Sequence, residues 1–109
     1  MDLQTARTKG GNTPFTVVNA ATYDVLTTDL LLHVTYTTKG AVTSLTLPTA
    51  QVVQGRALII KDAGGLAGTN SITVDTENSE TIDGAATAVI NSNYSAINLY
   101  CDGSNWFVY

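Results

Sequence analysis

Charge is scarce in this chain: Asp, Glu, Lys and Arg make up 13% of its 109 residues, about half the usual share of roughly 25%. Little surface is therefore obliged to stay in water, which suits a β protein partly covered by partners. The charges that exist are mostly acidic, nine against five basic, for a formal net charge of -4. No basic patch is on hand to displace counterions from a nucleic acid or to settle on an anionic membrane, so neither is expected as a partner. Cysteine and histidine are nearly absent. Cys101 stands alone, which excludes an intrachain disulfide, and its place in the alternation Ile97, Leu99, Cys101 marks it as a buried structural thiol. A reactive thiol needs an activating cation, and nothing in the spacing brings His33, the one histidine, near it. Long apolar runs are missing too. None approaches the roughly 20 residues that cross a bilayer, and the Met1-Asp2-Leu3-Gln4 opening has an acid and no apolar signal core. The expectation is a protein made and kept in the cytosol of its producer.

Helical periodicity is likewise lacking. From Phe15 onward the apolar residues recur with period two between Gly, Asn and Asp signals, the pattern of short strands. Strands are expected at 15–18, 22–26, 30–36, 43–47, 56–61, 71–75, 81–82, 88–90, 96–101 and 105–109. The run Ala57-Leu58-Ile59-Ile60 predicts a central strand buried on both faces. Residues 1–14 hold few large apolar groups and end at Pro14, so they read as an extended arm, with 15–109 as the single domain. The fold expected is all-β: a sandwich, jelly-roll-like or barrel domain with an N-terminal arm. The lack of a strict internal repeat argues against a β-solenoid.

Catalytic constellations are hard to find. Glu77, Glu80 and Asp83 lie together, but a glycosidase needs two carboxylates set across a sugar cleft, for which a 109-residue domain with few aromatics has little room. Asp75, Glu77 and Glu80 match no EF-hand spacing, and a turn through Asn78-Ser79 explains them better than calcium does. Gly64-Gly65-Leu66-Ala67-Gly68 lacks the Lys-Ser/Thr pair of a phosphate loop. No nucleophile elbow is present. The expectation is a protein with no enzymatic activity, cofactor or resident metal. Around Asp102-Gly103-Ser104, Trp106 and Val108 fall on one strand face and Phe107 and Tyr109 on the other. If Phe107 is core, then Trp106 with Tyr94 or Tyr100 forms a subunit contact or a glycan-stacking surface; otherwise both faces are buried.

Several motifs in order carry a resemblance: Tyr23-Asp24-Val25-Leu26-Thr27-Thr28-Asp29, Val42-Thr43-Ser44-Leu45-Thr46-Leu47-Pro48, Gln54 through Asp62 (QGRALIIKD), Asn70-Ser71-Ile72-Thr73-Val74, Glu80-Thr81-Ile82-Asp83-Gly84, and Asp102 through Val108 (DGSNWFV). The stretch from Tyr23 to Tyr109, about four fifths of the chain, resembles a module that recurs in phage virion proteins, in head decoration proteins as well as tail fibres and tailspikes. The resemblance implies a β-rich structural protein that often trimerises and binds other virion proteins or host surface glycans. With only a short arm before the module and no shaft, collagen-like repeat or heptads, a decoration or cement protein is expected. It would bind the major capsid protein on the outside of the head as a homotrimer, with the arm (Arg7, Lys9, Pro14, Phe15) lying on the capsid. The alternative is a fibre or receptor-binding module recognising host glycans.

Overall fold

Short runs of Val, Ile, Leu and Thr, cut at intervals by residues that turn the chain, leave little choice but strands. In the computed structural model, which describes residues 12–109, they are β1 (Thr16–Val18), β2 (Thr22–Asp24), β3 (Leu31–Val34), β4 (Thr43–Leu47), β5 (Ala57–Asp62), β6 (Ile72–Thr76), β7 (Thr87–Ile90), β8 (Ala96–Cys101) and β9 (Trp106–Val108). A five-stranded sheet runs β1-β3-β5-β8-β9 and a four-stranded sheet β2-β4-β6-β7. Both sheets turn one face to a single core.

Up to β6 the chain changes sheet at every strand, and each strand from β3 onward lies parallel to the one two before it. That path is a coil, a short two-sided β-solenoid of three turns. β7, β8 and β9 then add antiparallel, onto β6, β5 and β8 respectively. The β-rich expectation holds and two sheets are layered, but the parallel coiling is not the wiring of a jelly roll or barrel. The argument against a solenoid is corrected as well. The coils stack in register although their lengths differ: Thr16 to Leu32 and Leu32 to Ile60 are steps of 16 and 28 residues, Tyr23 to Leu45 and Leu45 to Val74 steps of 22 and 29. Unequal connections erase a sequence period while leaving the ladder intact.

Inward rungs such as Leu32–Ile60–Ile97 and Leu45–Val74–Ala88 fill the space between the sheets. Leu32, Ile60, Leu45 and Val74 are each fully buried, and every such Leu or Ile contributes about 1.5–3 kcal/mol by leaving water. Strand ends follow local chemistry. β3 stops two residues short of the expected end at Tyr36 because Tyr36–Lys39 wind into a 3-10 turn that ends at Gly40, and β4 stops at Pro48, which has no N–H to donate. Ile82 and Ala85 exchange backbone hydrogen bonds of 2.7 and 3.0 Å across Asp83-Gly84, a two-residue turn in which both residues take positive φ (52° and 81°).

β5 is the middle strand of the larger sheet, as its apolar run predicts, but only one of its faces is buried. Leu58 and Ile60 point into the core at 1% and 0% exposure, whereas Ile59 is half-buried and Ala57 exposed on the outer face. Of the expected arm, residues 1–11, with Arg7 and Lys9, lie outside the described residues; Asn12–Pro14 are exposed and outside any strand.

Candidate functional site

The ionisable chemistry of the described residues is concentrated in two buried carboxylates, Asp62 and Asp29, neither of which the sequence marks as a site. Asp62, the last residue of β5, is fully buried. One of its oxygens accepts from the Thr37 hydroxyl at 2.7 Å and the Gly65 N–H at 3.0 Å. The other accepts from the N–H groups of Ala67 at 2.9 Å and Tyr94 at 3.0 Å. Burial works against the anion, but these donors outweigh it and hold the carboxyl below its ordinary value. Asp62 thereby fastens the 63–68 turn and the 92–95 turn to the end of the sheet. Gly65 can occupy this knot only as glycine: its φ is +79°, and a Cβ would meet the Tyr94 ring 2.2 Å away.

Asp29 forms the second knot. It is 2% exposed and accepts from the Thr16 hydroxyl at 2.6 Å, the Tyr23 hydroxyl at 2.6 Å and the Leu26 N–H at 2.8 Å. Here too burial opposes the charge, and the three donors with the nearby Arg56 guanidinium prevail, so the carboxyl lies below its usual range. The same burial and the carboxylate together push the Tyr23 hydroxyl up to about 12. Arg56 spans the gap between coils, donating to the carbonyls of Ala57 and Leu26 and to the Gln51 side chain. With their lone pairs occupied by structural donors, both aspartates act as internal rivets.

Two acids of the β6–β7 loop are similarly engaged. Glu77 accepts from the Thr49 N–H at 2.8 Å and Glu80 from the Thr49 hydroxyl at 2.9 Å, so these side chains tie the β6–β7 loop to Thr49. Among the described residues no group of three or more His, Cys, Asp or Glu is gathered to hold a metal, and no cavity or cleft opens.

What remains is surface, and the two sheets differ in it. The outer face of the four-stranded sheet is polar: Thr22, Ser44 and Thr73 with Val89, then Asp24, Thr46, Asp75 and Thr87. The outer face of the five-stranded sheet is more apolar and is laid out in three cross-strand rows. Val17, His33, Lys61 and Ala96 form one, Leu31, Ile59 and Asn98 the next, and Ala57, Tyr100 and Phe107 the third. Phe15 lies against His33 with ring centroids 4.8 Å apart. Tyr100 stacks on Phe107 at 5.5 Å and meets Tyr109 edge-on at 5.7 Å. Lys61 reaches the Tyr94 carbonyl and lies 5.9 Å from that ring's centroid. Among the described residues no Asp or Glu side chain projects from these rows.

The structure separates the contact residues expected from sequence. Tyr100 is on the apolar face and 42% exposed. Tyr94 is exposed but belongs to the Asp62 knot at the strand ends, where it holds a positive φ of 62°. Trp106 is corrected: it pairs with Cys101 on the inner face and is 1% exposed, so its ring is core and unable to meet a partner. Phe107 takes the outward place instead. Pro14 and Phe15 are both exposed, Phe15 at the edge of the apolar face. Sequence reasoning missed Phe107, Tyr109, Ile59 and Leu31 as a single surface, because Leu31 and Ile59 are parallel neighbours 28 residues apart and Phe107 reaches them only through the antiparallel β8. No helix among the described residues is long and apolar enough to cross a membrane. No family model matches the chain, and no curated protein sequence matches it.

Proposed function

We propose that this chain is a non-catalytic structural module of a virus particle, a decoration or cement protein that binds the outer surface of the capsid against the major capsid protein, as a homotrimer, and stabilises the head. The motif resemblance points to the virion, and one structural observation favours a binding role: a largely apolar, aromatic sheet face on a scaffold whose two buried carboxylates are committed to internal hydrogen bonds. Such a surface suits broad contact with protein. Clamping follows from the same physics, since about 25 cal/mol for each Å² of apolar surface covered accumulates over many copies on a lattice.

The test is to add the purified protein to capsids lacking it, image them by cryo-EM and measure their heat resistance. Density at regular lattice points with raised heat resistance supports the reading. Bare heads overturn it. A second reading, a receptor-binding module for host glycans, is favoured by the Tyr100, Phe107 and Tyr109 rings beside Asn98; signal on a glycan array from the isolated protein supports that reading over the first.

A further inference from the structure

At the N-terminal end of the coil each sheet has a strand with one described neighbour, β1 beside β3 and β2 beside β4. In β2 the direction of the peptide groups can be read from its surroundings. The Ser44 N–H donates to the Ala21 carbonyl at 2.8 Å and the Val25 N–H to the Thr46 carbonyl at 3.0 Å, so residues 21, 23 and 25 turn their peptide groups toward β4. By alternation Thr22 and Asp24 aim their N–H and C=O groups at the far edge, where no described strand pairs. Edge groups of this kind are a template for a further strand.

Path, length and charge name the occupant. The chain alternates between the sheets from β1 to β6, so the place one step before β1 is in the four-stranded sheet, on the far edge of β2. The shorter of the two crossings in that direction is 25–30, six residues between β2 and β3. Six residues counted back from β1 are 10–15, which open on Gly10-Gly11, include Pro14, and at Asn12–Phe15 are exposed and outside any strand. A crossing of that length brings Arg7-Thr8-Lys9 to the edge, a segment as long as β2 itself. Charge selects the same edge. The outer row that begins at β2 is Asp24, Thr46, Asp75 and Thr87, with two carboxylates. The row that begins at β1 is Val17, His33, Lys61 and Ala96, with a lysine. Arg7 and Lys9 are attracted to the first and repelled by the second.

We infer that residues 7–9 add to the edge of β2 as a further parallel strand of the four-stranded sheet, with Arg7, Thr8 and Lys9 opposite Thr22, Tyr23 and Asp24. In that register Thr8 alone of the three turns its N–H toward β2, to the Thr22 carbonyl, and Lys9 stands beside Asp24 on the outer face. The inference is independent of the virion reading, and it assigns Arg7 and Lys9 to the chain's own sheet in place of the capsid contact expected of them. The test is amide hydrogen exchange of the full-length protein, read residue by residue by NMR, with Ile60 in the middle of the larger sheet as the gauge of overall folding. The Thr22 and Asp24 amides are expected to exchange at least about tenfold more slowly than that of Val17. Val17 faces the other edge, that of β1, because the Thr35 N–H donates to the Val18 carbonyl at 3.0 Å. Thr8→Pro removes the ladder N–H and is expected to abolish the difference while Ile60 stays protected; Thr5→Pro, outside the three residues, is expected to keep it. Thr22 and Asp24 amides that exchange as fast as Val17 in the wild-type protein overturn the inference. So does protection that survives Thr8→Pro, or that fades on dilution, the mark of an edge covered by another copy.

Discussion

Replacing Asp62 by Asn keeps the shape of the side chain and removes its charge. The carboxylate now satisfies four donors, two on each oxygen. The best Asn orientation keeps its oxygen on the Ala67 and Tyr94 N–H groups and turns its amide nitrogen toward Thr37, whose hydroxyl can rotate to accept. The Gly65 N–H is then left facing a donor. One orphaned buried N–H costs about 1–3 kcal/mol, and the two retained bonds each lose about 1 kcal/mol of charge assistance. The sum is about 3–5 kcal/mol, or a fall in Tm of the order of 15–30 °C for a domain of this size. Urea unfolding, followed by the fluorescence of buried Trp106 at fixed protein concentration, measures it. The pH dependence gives an independent check. Because the Asp62 carboxyl lies below its unfolded value of about 3.9, its contribution is fully present above that pH and is lost as pH falls through the lower, folded-state value. The wild-type protein should weaken steeply below about pH 4, and Asp62→Asn should show a shallower decline, with Asp29 supplying the part that remains. A loss under about 1 kcal/mol at pH 7, or an unchanged acid slope, would refute the reasoning.

Three further outcomes follow from the geometry. Tyr23→Phe removes one of three donors from Asp29 and is expected to destabilise the fold by about 1–3 kcal/mol in the same urea assay. Gly65→Ala should be strongly destabilising, and pairing it with Tyr94→Ala should recover only the steric part, because the positive φ of Gly65 remains; a double-mutant cycle in thermal unfolding separates the two. Adding EDTA should leave Tm unchanged, since the Glu77 and Glu80 carboxylates already accept from Thr49; a drop on chelation, reversed by calcium, would revive a metal role for that loop.

The sequence made the strands legible and left the wiring hidden, for a physical reason. Period-two alternation is a local signal, so β4, β8 and the inward Leu45 and Leu47 could be read directly. Whether a strand pairs with its neighbour or with the next strand but one is decided by connections, and here these differ in length from coil to coil. The aromatic end shows the same limit. Alternation says that Trp106 and Phe107 point opposite ways, and only the pairing of Trp106 with Cys101 decides which of them is inside. The Asp62 knot was similarly out of reach: Asp62-Ala63-Gly64-Gly65 announces a turn, but the donors from Thr37 and Tyr94 come from 25 and 32 residues away.

The unequal coils have an engineering consequence. In-register stacking constrains the strands and leaves the chain between them free to vary, and here that chain already varies by up to a dozen residues from one step to the next, 16 against 28. Loop closure grows costlier only slowly with length, about 0.6 kcal/mol for each doubling. The exposed stretch Val53-Gln54 between β4 and β5, at the tip of a turn that the Arg56 N–H closes onto the Val53 carbonyl, is therefore a site where a foreign peptide can be displayed without disturbing the ladder that carries it.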